Sequence, residues 1–310
     1  MAHPSSGPKR IFMSILKTNK TYGAIDIGTN AMRLLIQRGA KRICFLRIPI
    51  RLGSDVFSNG LIGSVTANNF LKAMLAFKYL IEINQVSKTM ICGTSALREA
   101  KNGFRITQWI KEKTGLQIEI ISGQKEAELL YETHIADHLS SKKDYLYIDI
   151  GGGSTEVTLF SGHKPKLSAS FQIGTIRLLK KKVSKTQWFE LENFIAKTRS
   201  ESKKDLIAIG TGGNMQKLIE LSGSKDESTS FSKLESIHKK LKKLSLKQRI
   251  EKFNLKVDRA DVIVPAGQIL LFVLKLTKIN KLIAPEVGLV DGMISHLGNK
   301  KLNKIKKRKV

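Results

Sequence analysis

The chain has 310 residues, 41% of them hydrophobic, and its 54 Lys and Arg against 26 Asp and Glu give a net charge of +28 at neutral pH. That length can bury substantial cores and predicts two domains. The charge predicts attraction for polyanions such as nucleic acid, anionic lipid or an oligophosphate. The two cysteines, Cys44 and Cys92, each lie in an apolar segment; they are too few for a zinc cluster or a disulfide framework and suit buried free thiols in a cytoplasmic protein.

Residues 1–19 read as a ragged leader whose apolar part is too short for a secretory signal. No apolar run is expected to reach the length of a membrane span. The first structured element is a hairpin over 22–37: an apolar run ending in Asp26, a turn carrying Gly28, Thr29 and Asn30, then a second run. A strand follows at 42–48, then a loop, then a helix over 66–83 with Phe70, Leu71, Met74, Leu75 and Leu80 near helical spacing. A strand at 89–93 runs into Thr94 and Ser95, where the next helix is expected to open with Arg98 in its first turns. A strand at 118–121 leads through Ser122 and Gly123 into a helix carrying Glu126, Leu129, Leu130 and Ile135.

A polar break at 142–144 precedes a second hairpin, over 145–160. It repeats the first pattern: an apolar run ending in Asp149, then Gly151, Gly152, Gly153, Ser154 and Thr155, then a second run starting at Glu156. Beyond it the pattern predicts a helix near 188–198 and a strand at 205–209. That strand feeds a Gly210-Thr-Gly212-Gly213-Asn214 loop, with Asn214 as N-cap of a helix at 215–222. A Lys-rich helical stretch at 233–252, in two pieces, comes next. An apolar helix at 262–276, a strand at 279–284, a last helix and a disordered basic tail at 300–310 complete the chain. The organisation is therefore α/β with mixed sheets: domain I over 20–139 and domain II over 140–299, whose last helix is a candidate to pack back on domain I.

Glycine lets backbone N–H groups approach an anion closely, and an Asp at a strand end is placed to hold a hard cation beside it. Three such loops, at 28–30, 151–155 and 210–214, describe a cleft that grips a phosphate chain. Glu126, in the first turn of its helix, reads either as a dipole-complementing residue or as a general base for an attacking water. Arg98 offers a fork of donors to phosphate oxygens. His134 and His138 stand at i, i+4 but lack the Glu of a zincin motif, so a metal role for them is not expected. The basic runs lack interleaved aromatics, which argues against single-stranded nucleic acid.

Five segments occur in an order and spacing that resembles one family. They are Asp26-Ile-Gly-Thr-Asn30, Gly93-Thr-Ser-Ala-Leu-Arg98-Glu-Ala, Ile120-Ile-Ser-Gly-Gln-Lys-Glu126-Ala, Asp149-Ile-Gly-Gly-Gly-Ser154-Thr-Glu156 and Gly210-Thr-Gly-Gly213. The family is that of exopolyphosphatases and guanosine pentaphosphate phosphohydrolases, within the superfamily of actin, heat-shock ATPases and sugar kinases.

The resemblance implies two ribonuclease-H-like (actin-like ATPase) domains with an interdomain cleft. It also implies Mg²⁺-dependent release of terminal phosphate from polyphosphate or guanosine pentaphosphate, with Mn²⁺ as an alternative ion. By this likeness Glu126 is the catalytic base and Arg98 faces the phosphates. Asp149 is a metal residue, with Glu156 and Asp26 beside it, and the glycine loops bind phosphate. A homodimer is common among such proteins, and neither a membrane nor nucleic acid is an expected partner. Long members carry further C-terminal helical domains, and this chain stops after the second, so short oligophosphates are the expected substrates. Lys125 and Asn214 depart from the residues most members carry there. Two other readings stay open: an ATPase or kinase of the same superfamily, and a non-catalytic polyphosphate or alarmone sensor.

Overall fold

A computed structural model of the protein describes residues 20–133, 140, 142–161, 164–202, 204–224 and 227–306, with side chains to residue 299. His134, His138, Ile135, the 1–19 leader and the last four residues of the tail lie outside the described residues.

The first half forms a five-stranded sheet from β1 (Thr21–Ile27), β2 (Met32–Arg38), β3 (Lys41–Ile48), β4 (Lys88–Gly93) and β5 (Glu119–Ile120), in the order β3-β2-β1-β4-β5. The first three strands are antiparallel neighbours, while β4 and β5 join in parallel. Its helices are α1 (Leu52–Asn59), α2 (Ser64–Ile83), α3 (Ser95–Glu99), α4 (Gly103–Thr114) and α5 (Gly123–Tyr131).

The second half repeats the scheme with β6 (Asp144–Ile150), β7 (Thr155–Ser161), β8 (Lys164–Phe171), β9 (Leu206–Thr211), β10 (Ser228–Ser230) and β11 (Lys281–Ile283), ordered β10-β11-β9-β6-β7-β8. Its helices are α6 (Thr175–Leu179), α7 (Lys185–Glu201), α8 (Gly213–Leu221), α9 (Phe231–Lys243), α10 (Leu246–Phe253), α11 (Val257–Ala260), α12 (Ile263–Thr277) and α13 (Leu289–Lys306). Two mixed sheets, each opening with three antiparallel strands and continuing in parallel, with an antiparallel edge strand β10 added to the second, make the ribonuclease-H-like arrangement expected from the resemblance.

Strand periodicity explains how the two sheets meet. Side chains of a strand alternate between faces. On β1, Ile25 and Ile27 enter the first core while Tyr22 and Ala24 enter a third cluster. On β6, Leu146, Ile148 and Ile150 enter the second core while Tyr145 and Tyr147 enter that same third cluster. Leu129 and Leu130 of α5 and Val290, Met293 and Ile294 of α13 fill the space between. Asp26 and Asp149 continue the inward rows of their strands, so both carboxylates arrive where the halves meet.

Several expectations need correction. The helix expected to open at Thr94 and Ser95 does so as α3, but it ends after five residues and α4 follows a break; a Cβ at Gly103 would lie 2.1 Å from the Leu97 carbonyl oxygen, so glycine permits that tight turn. The expected loop after β3 contains α1, and β8 was not foreseen. The basic run after 299 is helical to Lys306, in line with the helix propensity of Lys and Leu. The segment Val257–Thr277 does have the length and apolar composition of a membrane span, against expectation. It bends between α11 and α12, however, and Ile263, Ile269, Leu270, Val273 and Leu274 sit in the second core.

Candidate active site

A cleft of about 400 Å³ opens between the sheets, lined by the two hairpin turns, the β9–α8 turn and the residues before α13. Its floor carries the carboxylates of Glu126 and Asp149, and Glu156 is buried against them. Glu126, Asp149 and Glu156 bring carboxylate oxygens within 4.8 Å of one another. Three local features produce this. Ser122 caps α5 by accepting from the Lys125 amide, which sets Glu126 in the first turn. Gly123 lets the helix start close to β8, since a Cβ there would lie 2.5 Å from Ser170. Asp149 and Glu156 are cross-strand partners in the β6–β7 register, so one pairing fixes both.

Burial and mutual repulsion govern these groups. Desolvation, then the charges of Glu156, Asp149 and Asp26, push the Glu126 carboxyl well above the usual range, and Arg98 opposes the rise. Glu156 is raised to about 7, first by burial and then by Asp149, while hydrogen bonds from Ser170 and Ser154 pull the other way. The Ser170 hydroxyl donates to Glu156 Oε1 at 2.7 Å. Asp149 is raised by burial, against a hydrogen bond from Thr211. Glu126 Oε2 is buried with no hydrogen-bond partner. An unpartnered buried oxygen beside two more carboxylates is the donor set of a hard divalent cation, so the residues present fit such an ion.

The first hairpin is built alike but furnished differently. The turn bonds match: the Gly28 amide to the Ala31 carbonyl at 3.2 Å, and the Gly151 amide to the Ser154 carbonyl at 2.9 Å. Where β7 sets Glu156 opposite Asp149, β2 sets Arg33 opposite Asp26. Arg33 Nη1 donates to Asp26 Oδ2 at 2.6 Å, which places Asp26 in an ion pair beside the three-carboxylate cluster.

Among the expected phosphate residues, Gly28, Thr29, Asn30, Gly151, Gly152, Gly153, Ser154, Gly212 and Gly213 all line the cleft. Asn30 also ties the halves, its Nδ2 donating to the Asp258 carbonyl at 3.0 Å. Thr155 is turned away: its hydroxyl is fully buried and donates to the Ile173 carbonyl at 2.5 Å. Arg98 does not open a helix; it stands in the last turn of α3, where a cation is favourable. Its Nη1 donates to the Ile121 carbonyl at 2.7 Å, and it is absent from the cleft lining. Asn214 is not the cap of α8. Gly212 is, at φ 88°, a backbone conformation that favours glycine, and a Cβ there would lie 3.4 Å from Asp149 Oδ1.

Other residues join the site without having been foreseen. Arg33, Arg42, Arg47 and Arg259 line one wall with the exposed ring of Phe45. Arg259 also donates to the Gly213 carbonyl. Arg177 and Glu99 lie behind the 151–154 loop.

A family model, that of the Ppx/GppA phosphatase family, matches residues 41–301. The chain belongs to the Ppx/GppA phosphatase family. A guanosine-5'-triphosphate,3'-diphosphate pyrophosphatase of Photobacterium profundum is 25% identical over 301 aligned residues, 90% of this chain and 59% of the relative. A bifunctional 3-dehydroquinate synthase/phosphatase of Fusobacterium nucleatum is 33% identical over 178 residues, 53% of this chain and 27% of that protein. This Ppx/GppA chain thus spans less than two thirds of the length of these curated relatives. A solved exopolyphosphatase of Cytophaga hutchinsonii superposes with a TM-score of 0.78 at 23% identity, covering 91% of this chain and 98% of that one, and shows the shared fold.

Proposed function

We propose that the protein is a divalent-metal-dependent phosphoanhydride hydrolase that releases terminal orthophosphate from short inorganic polyphosphates, with guanosine pentaphosphate as a second substrate. The observation that carries this reading is the meeting of Glu126 and Asp149, which line a cleft walled by glycine turns, with the buried carboxylate of Glu156 within 4.8 Å of both. Membership of a phosphatase family supports it. A Mg²⁺ ion held by Asp149 and Glu156 would offset oxyanion charge on the phosphoryl group.

The chain's own residues do the rest. Glu126, whose carboxyl is raised well above the usual range by burial and neighbouring carboxylates, accepts a proton from a water aligned on the terminal phosphorus. The new bond is water oxygen to phosphorus, and the bond broken runs from that phosphorus to the bridging oxygen. Amides of the 29–30, 152–154 and 212–213 stretches hold the phosphoryl oxygens.

The cleft volume suits a nucleotide or a short phosphate chain. The guanosine substrate is favoured by Phe45, 55% exposed in the cleft wall beside Arg42 and Arg47, where a planar base can stack. The free thiols Cys44, half-buried, and Cys92, buried, support a reducing compartment such as the cytoplasm.

Phosphate release from short and long polyphosphate, guanosine pentaphosphate and ATP, with and without Mg²⁺, tests the reading. Turnover of the first and third in Mg²⁺ is expected. Glu126→Gln should lower kcat by at least about 100-fold with an unchanged fold by circular dichroism. Turnover of ATP above all others would favour the ATPase reading, and tight binding without release would favour a sensor.

A further inference from the structure

We propose that Arg177 and Glu99 form a positioning pair that fixes the phosphate-facing amides of the 151–154 loop and references them to the opposite half of the molecule. The proposal rests on the hydrolase reading of the cleft.

Three successive loop carbonyls point toward α6. The Gly151 oxygen accepts from the Thr175 amide at 3.0 Å, and the Gly152 oxygen from the Ile176 and Arg177 amides at 2.8 and 3.2 Å. The Gly153 oxygen accepts from Arg177 Nε at 2.8 Å. In a planar trans peptide the C=O of one residue and the N–H of the next point in opposite directions. Holding these carbonyls on α6 therefore turns the N–H groups of Gly152, Gly153 and Ser154 away from it, and those three residues line the cleft. Gly174 makes the approach possible, since a Cβ there would lie 2.4 Å from the Gly152 oxygen.

Two of the three anchors are backbone groups that any sequence supplies. The third is a side chain, and it is tied further. Arg177 is 6% exposed, and its Nη2 reaches both Glu99 oxygens, at 2.6 and 2.5 Å. Its guanidinium carbon lies 4.2 Å from the centre of the Phe57 ring in α1. Glu99 is in turn oriented by the Ser95 hydroxyl at 2.7 Å. One planar fork therefore joins the loop of the second half to α3 and α1 of the first. A lysine has no such fork and cannot serve both acceptors in the same geometry. Neither residue reaches the reacting atoms; they act through the loop they hold.

The test compares wild type with Arg177→Lys, Arg177→Gln and Glu99→Gln, all in Mg²⁺ with tripolyphosphate. Arg177→Gln should lower kcat by about 10- to 100-fold, the scale of a small misplacement of binding groups, with KM changing far less. Arg177→Lys and Glu99→Gln should lose less, and millimolar guanidinium should restore part of the Arg177→Gln activity. Melting curves establish that each variant is folded at the assay temperature; a merely structural role would lower the melting temperature and leave kcat of the folded protein intact. Calorimetric binding of tripolyphosphate separates the two ideas. Wild-type turnover with unchanged kcat in all three variants overturns the pair and leaves the hydrolase reading standing. Wild-type binding without turnover overturns the hydrolase reading; weaker tripolyphosphate binding in the variants would then still support the pair, and unchanged binding would overturn it. Absence of both binding and turnover in wild type overturns both.

Discussion

Asp26 and Asp149 end equivalent strands, and the residue opposite each sets its electrostatic surroundings. Arg33 draws Asp26 into an ion pair, whereas Glu156 faces Asp149 with a like charge. The repulsion on the second hairpin has a thermodynamic consequence. The Glu156 carboxyl rises from 4.5 to about 7 in the folded state, so between those values the folded protein holds a proton that the unfolded chain has released. Stability then falls as pH rises through that window and levels off above it, by a few kcal/mol for this group. Melting curves of the metal-free protein should show this decline, and Glu156→Gln should become the more stable form toward pH 8. A divalent cation should recover more stability at the alkaline end than at the acidic end. Equal melting temperatures of wild type and Glu156→Gln at every pH would contradict the argument. The residues of this floor were legible in the sequence because each sits beside a glycine turn or a helix start. Arg177 and Glu99 were not, since they stand 78 residues apart and nothing local marks their meeting.

At the level of elements, long apolar strands and the long amphipathic α2 were readable, and the short or polar ones were not. β8 starts with Lys164, Pro165 and Lys166 and is mostly exposed at its edge, so it lacks the apolar alternation that marks a half-buried strand. α6 is five residues long and announces itself only through Gly174. The close backbone approach of α13 to α5 was equally hidden, because it depends on one residue without a side chain. A Cβ at Gly292 would stand 1.8 Å from the Leu129 carbonyl oxygen, so the two helices touch backbone to backbone. Gly292→Ala should force α13 outward and lower stability by about 1–3 kcal/mol, as overpacking does. It should also cut turnover, because α5 carries Glu126. Gly115→Ala makes no such contact, although its positive φ adds backbone strain, and should leave turnover intact. Equal turnover in both variants, measured well below their melting temperatures, would show that α13 does not set the position of α5.

Across the whole molecule, the same excess of positive charge meets two different dielectric settings. Arg47 and Asp258 pair at 2.5 Å across the halves with side chains only 16% and 12% exposed, and Arg51 pairs with Asp261 beside them at 2.6 Å. With the Arg177–Glu99 pair they join the two halves of the molecule. Pairs so enclosed are screened little by salt. The lysines of α9 and α10 are different: even those paired with a glutamate one turn away, Lys239 and Lys247, have side chains 68% and 85% exposed, and the reach of such groups toward a distant anion is a field that salt collapses within about 10 Å at 0.1 M. Salt should therefore weaken capture of a polyanion and spare the geometry that turns it over. Raising KCl from about 0.05 to about 0.5 M should lower kcat/KM for tripolyphosphate by about tenfold or more, while kcat at saturation stays within about twofold. A fall in kcat with kcat/KM unchanged would mean that the joint between the halves, and not the surface field, is the salt-sensitive part. On the proposed hydrolase reading, with the joint intact, the +28 charge would act on arrival of the substrate and the carboxylates on its cleavage.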